Sequence, residues 1–339
     1  MTHKGLLAAA GLCLALVLAR PASAETDRDC PRQCLVDIGE KYLKAMKAHD
    51  PAAAPLADNA RYTENGVELQ LPDGMWRTVT DVGEYRLRVV DPEAGTLGMF
   101  STMAENGSPI ILASRLKVRD RKIVAIETVV ARRDTAIAPG AGAGMQPEAE
   151  ALRERPQFSQ VLPMPQRRPR WKLIEIANSY FRALENNSGT DHVPPFASTC
   201  HRIENGVATT NRPWDGKPPR GALTYGCAEA FGLGYYREDT RLRDMRFLAV
   251  DEERGLVFAQ GFFDHDATVR SYRLTNGQTV NVPRTAPWTW MMMETFRIAD
   301  GKIDQVESVL LSVPYGMRPN WDDGWRMPSP QEELEKMRR

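Results

Sequence analysis

The chain contains much of its sequence twice, and this internal repeat limits its fold more than any other feature. The stretch "DIGEKYLKAMKAHD" from Asp37 matches "EIANSYFRALENNS" from Glu175, and "ENGV" occurs at 64–67 and again at 204–207. Two later segments match in the same order: "VVDPEAGTLGMF" with "AVDEERGLVFAQ", and "SRLKVRDRKIVAIETVV" with "ETFRIADGKIDQVESVL". Ordered matches of this kind indicate a duplicated structural unit. The sequence therefore predicts two copies of one domain.

The spacing between matched segments grows from 138 residues to 140, then 160 and 180. Because the order is kept while the spacing widens, the second copy has gained two insertions. Between the copies lie six prolines and the run "GAGAG", a composition typical of a linker. We therefore expect a first domain over 25–133, a linker over 134–170, a second domain over 171–316 and a C-terminal tail over 317–339.

The first 24 residues read as a cleavable export signal. Lys4 precedes an apolar run over 6–19, and the small residues "ASA" follow at 22–24. Removing Lys4 and Arg20 from the 44 basic residues leaves 42 against 44 acidic ones, a balance that indicates no nucleic-acid partner. No later stretch reaches the roughly 18 apolar residues that a membrane helix needs. The sequence predicts a periplasmic or secreted protein without a membrane span.

Four cysteines remain after the signal, and an even count in an exported chain favours disulfides. The simplest pairing joins Cys30 to Cys34 and Cys200 to Cys227, although four cysteines allow three pairings. His201 adjoins Cys200, so a metal site is the competing interpretation. The close cysteine spacing of common zinc sites is absent from the sequence. We expect two disulfides, no metal and no cofactor.

The periodicity of each copy predicts a helix followed by strands. In the second copy one helical face collects apolar residues at the expected spacing: Leu173, Ile176, Ala177, Tyr180, Phe181 and Leu184. Later runs such as "GLVFAQGFF", "WTWMMMETFRI" and "KIDQVESVLLSV" are β-rich and are separated by turn signals. This order predicts an α+β domain in which helices cover one face of a curved antiparallel sheet.

These features resemble the cone-shaped NTF2-like superfamily, which includes ketosteroid isomerase, scytalone dehydratase and the SnoaL-like cyclases. The resemblance rests on the long first helix with a tyrosine, the "ENG" segment and the closing hairpin "FRIADGKIDQVE". "VDEERGLVFAQGFFDH", "NVPRTAPW" and "SVPYGM" further resemble a family of exported bacterial and fungal proteins of unassigned function. The resemblance implies two tandem cones, packed sheet to sheet as an intrachain pseudo-dimer. It leaves a homo-oligomer open.

Comparison of the two copies places the candidate site in the second. His201 falls on Arg61 of the first copy, and His265 falls on Glu105. Glu294 falls on Ser114, and six of the seven tryptophans follow residue 170. A purely structural role would not need this asymmetry, so we expect the second copy to hold a pocket between sheet and helices.

Each candidate side chain has a chemical role and a plain structural alternative. A histidine titrates near neutral pH, so His201 or His265 is the candidate base, with Arg202 as the oxyanion or carboxylate contact. Proton donors and substrate contacts complete the set: Tyr225, Tyr236, Trp288, Trp290, Glu294, Glu204 and Asp264. The tryptophan stripe is also typical of core packing. Glu204 recurs as Glu64, which favours a shared structural turn.

The resulting hypothesis is an exported, cofactor-independent lyase or isomerase. It would abstract a proton beside a carbonyl, or eliminate a leaving group, in a small cyclic, aromatic or carbohydrate-derived substrate. The alternative is a non-catalytic protein that binds an apolar small molecule. The sequence lacks a "GxSxG" elbow, a phosphate-binding glycine loop and "HExxH".

Overall fold

The computed structural model describes Met1 and residues 30–133, 146–190 and 192–326. Apart from Met1, the predicted export signal lies outside this part, as do residues 134–145 of the predicted linker and the end of the tail. Within the described residues, no helix has both the length and the apolar character needed to cross a membrane.

The first copy opens with a long helix and continues as one sheet. Helix α1 spans Arg32–Lys47, and the short helix α2 spans Met75–Thr78. The strands are β1 (Leu56–Glu64), β2 (Val67–Leu69), β3 (Val79–Asp91), β4 (Thr96–Glu105), β5 (Ser108–Arg119) and β6 (Lys122–Ala131). Their order in the sheet is β2-β1-β6-β5-β4-β3.

The second copy repeats this order and adds to it. After the short helix α3 (Pro156–Ser159), helix α4 spans Arg170–Leu184 and α5 spans Cys227–Leu233. The strands are β7 (Phe196–Glu204), β8 (Val207–Ala208), β9 (Arg241–Asp251), β10 (Leu256–His265), β11 (Ser271–Arg273), β12 (Thr279–Asn281), β13 (Trp288–Ala299), β14 (Lys302–Val313) and β15 (Trp325–Arg326). The main sheet runs β8-β7-β14-β13-β10-β9-β15, so each strand of the first sheet has a counterpart. The predicted duplication and α+β class agree with this architecture.

Two expectations need correction. Each sheet is mixed rather than antiparallel, because β1 runs parallel to β6 and β7 runs parallel to β14. These pairs join the first and last long strands of a copy, so a long crossover connects them. The predicted linker also contains regular structure: α3 lies within it, and Leu152, Phe158 and Leu162 are buried. Apolar contacts with the sheets order this proline-rich segment.

The two sheets pack face to face, with the long helices on the outer faces. Successive side chains of a strand point to opposite faces, so each sheet has one face for its helix and one for the other sheet. Phe100 and Phe258 meet in the shared core with ring centroids 5.7 Å apart. Met291 and Met293 of β13 enter the same core, whereas Met292 packs with α4.

Matched ion pairs join the two copies. Arg32, at the start of α1, donates to both carboxylate oxygens of Asp251 at 2.7 Å. Its counterpart Arg170, at the start of α4, donates to Asp91 at 2.5 Å. Arg32 and Arg170 are repeat equivalents, as are Asp91 and Asp251. The copies are therefore related by an approximate twofold arrangement.

The repeated "ENGV" forms the same turn in both copies. Asn205 has a φ of 50° and Gly206 one of 82°, and the first copy has 50° and 79° at the equivalent positions. The amide of Asn205 donates to the Leu310 carbonyl at 2.9 Å and accepts from the Leu310 N–H at 3.0 Å. Asn65 makes the equivalent two contacts with Val130. The motif therefore ties the end of one strand to the closing strand of its copy.

We expect Asn205→Gly and Asn205→Ala to separate the two contributions of this residue. Glycine adopts a positive φ without strain, so the glycine variant should lose only the contacts to Leu310, on the order of 1–3 kcal/mol. Alanine should cost about 1 kcal/mol more because of the left-handed backbone. Urea unfolding of both variants measures the difference. Asn65→Gly and Asn65→Ala, at the equivalent position of the first copy, are the matched controls. Equal stability of the glycine variant and the parent would contradict this role.

The C-terminal tail of the second copy binds to the first copy. The Trp321 indole donates to Thr63 Oγ1 at 2.9 Å, and the Arg61 guanidinium lies 4.1 Å from its ring centroid. Asp323 accepts from Arg115 at 2.8 and 3.0 Å and from Lys117 at 2.9 Å. Although burial opposes ionisation, these cations hold the pKa of Asp323 well below its usual value.

Candidate functional site

A cavity of about 320 Å³ lies in the second copy. Its walls come from the helix-facing side of the sheet, from α4 and from the two inserted segments. Tyr180 of α4, Arg202 of β7 and Glu294 of β13 line it, together with aromatic and aliphatic side chains. A mostly apolar cavity with a few charged groups is the usual form of a small-molecule site.

The two inserted segments cover the cavity and hold each other in place. One carries α5, and the other carries the β11–β12 hairpin. Tyr272 donates its hydroxyl to the Tyr235 carbonyl at 2.6 Å, and the Thr275 N–H donates to the Leu233 carbonyl at 3.1 Å. The Cys200–Cys227 disulfide fixes α5 to β7, and a second disulfide joins Cys30 to Cys34. The predicted insertions thus form the roof of the cavity.

Glu294 places a carboxyl group inside the cavity. Its side chain is 3% exposed, and burial raises its pKa to about 8. Oε1 accepts from the Tyr180 hydroxyl at 3.3 Å, whereas Oε2 has no hydrogen-bond partner among the described residues. A carboxyl group with a pKa near working pH can both take and return a proton.

Arg202 supplies positive charge near Glu294, and Tyr236 lies beside Arg202. The Arg202 guanidinium donates to Glu204 Oε1 at 2.6 Å and to the Tyr236 hydroxyl oxygen. Because Tyr236 accepts there, its own hydrogen can donate into the cavity. Burial raises the pKa of Tyr236, so the hydroxyl stays protonated. The pair presents positive charge and an O–H donor.

A layered cluster forms another wall. His265 stacks on Trp288 with centroids 4.1 Å apart and planes 10° apart, and its Nε2 lies 2.7 Å from Asp239 Oδ1. That contact has ion-pair distance but lacks hydrogen-bond geometry, since Nε2 has no hydrogen-bond partner in the described part of the chain. The Arg284 guanidinium lies 3.9 Å from the Trp288 ring centroid. Trp288 thus contacts both the His265 imidazole and the Arg284 guanidinium.

The structure brings together six of the predicted site residues on the cavity surface: Arg202, Glu204, Tyr236, Trp288, Trp290 and Glu294. His265 lies behind this surface, where it supports Trp288. Tyr225 is buried under the inserted segments against Tyr235, with ring centroids 5.4 Å apart, and does not line the cavity.

Two predicted residues point elsewhere. In β7 the side chains alternate, so Cys200, Arg202 and Glu204 are buried while His201 is exposed and contacts Asn211 at 3.3 Å. Asp264 lies on the other face of β10 from His265, and it accepts both contacts of a bidentate Arg243 at 2.7 and 3.0 Å. His201 and His265 therefore do not face one cavity.

Tyr180, Glu238, Asp239 and Arg284 are among the polar residues of the cavity that sequence reasoning missed. The helical periodicity placed Tyr180 among the apolar residues of one helix face, so it was not taken as a site residue. The other three lie in or beside the inserted segments, where the first copy offers no equivalent. Burial raises the pKa of Glu238, and Asp239 adds to this effect.

The first copy fills the equivalent space with its own side chains. Trp76 of α2 is fully buried against Tyr42, with ring centroids 5.5 Å apart. Ser114 occupies the position of Glu294 in the first copy. Its Oγ lies at hydrogen-bond distance, 2.9 Å, from Thr128 Oγ1. The carboxyl group and its cavity are thus features of the second copy.

Within the described residues, no group of three His, Cys, Asp or Glu side chains is placed to hold a metal ion. The sulfur of Cys200 belongs to a disulfide, so it does not join His201 in a metal site.

Comparison with known proteins gives a family but no reaction. The model of the family described as "Domain of unknown function (DUF8021)" matches residues 28–130 and 166–310. No curated protein matches the chain. A structure described as "Crystal Structure of Putative Isomerase from Bacillus subtilis" shares 10% identity, with 41% of this chain and 86% of that chain covered and a TM-score of 0.26. A TM-score this low carries no argument about this chain.

Proposed function

The chain belongs to the family described as a domain of unknown function, DUF8021, and from the cavity of its second copy we propose that it is a cofactor-independent lyase or isomerase. The observation that carries the proposal is Glu294, a buried carboxyl group with a pKa of about 8 and one oxygen that lacks a hydrogen-bond partner among the described residues. Perturbed pKa values of this kind cluster at functional sites.

In the proposed reaction, ionised Glu294 removes a proton from the carbon next to a substrate carbonyl. The C–H electron pair forms the enolate double bond, and negative charge develops on the carbonyl oxygen. Arg202 and the Tyr236 hydroxyl stabilise that oxygen. In an isomerisation Glu294 returns the proton to a different carbon. In an elimination the enolate oxygen re-forms the carbonyl, the former enolate electron pair forms a double bond between the α- and β-carbons, and the leaving group departs from the β-carbon with the electron pair of its broken bond. Glu294 then passes its proton to the leaving group or to solvent.

The fold and compartment form part of the same proposal. We assign the two copies to NTF2-like cones over 25–133 and 171–316, with a strapping tail from 317 onward. We also assign residues 1–24 to an export signal. The two disulfides support an oxidising compartment, periplasmic or extracellular.

Proton exchange tests the reaction on a simple ketone, so the natural substrate need not be identified first. We expect the protein in D₂O to incorporate deuterium next to the carbonyl of cyclic ketones such as 2-tetralone, measured by NMR. Glu294→Gln should slow this exchange at least a hundredfold, the usual size of a general-base effect. The parent rate should rise with pH through about 8, because the base must be ionised.

His201→Ala is the matched control, since His201 is exposed and away from the cavity. It should keep the parent rate. Exchange that survives in Glu294→Gln, or that is lost in His201→Ala, would refute the assignment of the base.

A binding protein is the second candidate, favoured by the mostly apolar walls of the cavity. In that case native mass spectrometry of the purified protein should show one unmodified ligand per chain. Such a ligand, together with undetectable exchange, would replace the enzyme proposal.

A further inference from the structure

We propose that the cavity takes an elongated, multi-ring substrate with a carboxylate, and that Arg284 with the Trp288 and Trp290 N–H groups holds this carboxylate. This inference rests on the proposed function for the reacting end of the molecule. The assignment of the carboxylate end of the substrate rests on a separate set of hydrogen-bond donors, which lack partners among the described residues.

Arg284 is a cation without a counterion among the described residues. No carboxylate in that part of the chain pairs with it, and its buried Nη1 has no hydrogen-bond partner there. Other buried arginines of the second copy are paired, for example Arg202 with Glu204 and Arg243 with Asp264. Burial lowers the pKa of Arg284, and no neighbouring acid within the described ranges opposes this. A partly buried cation without a counterion is costly, so a ligand anion would relieve that cost.

Two further donors line the same cavity. The Nε1 atoms of Trp288 and Trp290 are buried, and within the described residues neither has an acceptor. The Trp288 side chain touches Arg284 and is 5% exposed. Indole N–H and guanidinium groups donate only. A ligand group that only accepts, and that carries one negative charge, therefore suits this wall. A carboxylate has both properties and matches the planar guanidinium.

The acidic residues nearby leave room for such a group. Asp239 faces His265 rather than Arg284. Burial raises the pKa of Glu238, which favours its neutral form and limits repulsion of an anion. Glu204 is compensated by Arg202.

The strand geometry sets the length of the ligand. Trp288, Trp290, Met292 and Glu294 share one face of β13, since alternate residues point the same way. Four residues separate Trp290 from Glu294, roughly 13 Å at about 3.3 Å per residue. A molecule that contacts both ends must be longer than one ring. The aromatic and aliphatic lining suits the rings between its two polar ends.

The test compares biphenyl-4-carboxylate with its neutral amide, by isothermal titration calorimetry and by quenching of tryptophan fluorescence. The acid should bind at least about tenfold more tightly than the amide, because only the acid pairs with Arg284. Arg284→Gln should reduce this preference to about twofold or less. Arg273→Gln is the control, because Arg273 is an exposed arginine in the same inserted segment, outside the cavity.

Glu294→Gln separates this inference from the proposed reaction. The variant should keep the preference for the acid while it loses proton exchange. Equal binding of acid and amide, no binding of either, or a preference that survives in Arg284→Gln would overturn the anchoring inference alone. Conversely, an Arg284-dependent preference without any Glu294-dependent exchange would leave the anchor in place and remove the reaction.

Discussion

Replacement of Glu294 by glutamine should make the protein more resistant to unfolding in alkaline solution. The folded-state pKa is about 8 rather than the ordinary 4.5, so between these values the native state holds a proton that the unfolded state has released. The stability contribution of protonated Glu294 is therefore complete below about pH 4.5 and is lost as pH rises through about 8. Glutamine has no such proton to lose and can still accept from Tyr180.

The gap between parent and variant should widen by an amount on the order of 4 kcal/mol from pH 5 to pH 9, at 1.36 kcal/mol per pKa unit. Urea unfolding at several pH values, with the disulfides intact, measures it. Glu93→Gln is the control, because that side chain is 74% exposed and should show no such trend. A constant gap across this range would show that Glu294 titrates normally, and it would remove the main support for its role as base.

Loss of the buried ion pair between the copies should destabilise the protein. Arg246 and Glu127 are each about 1% exposed, and Arg246 donates to Glu127 across the sheet interface. Arg246→Met leaves Glu127 in the core with Arg115 at 3.8 Å as its nearest cation. Removing one partner of a buried pair typically costs about 3–5 kcal/mol, so the free energy of unfolding should fall by that amount.

The double variant Glu127→Gln with Arg246→Met should recover much of this loss, because the interface then holds no uncompensated charge. The exposed pair of Arg77 and Asp73 gives the comparison: Arg77→Met should change stability by less than about 1 kcal/mol. A double variant as unstable as Arg246→Met would mean that lost packing, and not the buried charge, causes the effect.

Duplication made much of this architecture predictable from sequence. Alignment of the repeats predicted the two copies, the two insertions in the second copy and the structural role of the "ENG" turn. Strand alternation correctly grouped Trp288, Trp290 and Glu294 on one face. Side chains alternate in the same way along β7. Because Arg202 was assigned to the interior, its neighbour His201 should have been predicted to point to solvent.

The rest of the site depends on contacts between distant segments. Arg284 and Asp239 lie in or next to insertions without periodicity, where their sequence resembles that of any polar loop. The high pKa of Glu294 arises because a roof from the two inserted segments and a helix from the start of the domain bury it together. Asp264 was expected to contact the substrate, yet strand alternation places it on the opposite face of β10 from His265, where it pairs with Arg243.

The reciprocal contacts of Arg32 with Asp251 and of Arg170 with Asp91 matter beyond their contribution to stability. In a dimer of identical chains, the two reciprocal contacts would have the same sequence, and any substitution would appear in both subunits at once. Here the two copies have separate sequences within a single chain. Trp76 can therefore pack against Tyr42 in the first copy while the second copy keeps the cavity around Glu294, because each half of the chain accepts substitutions independently.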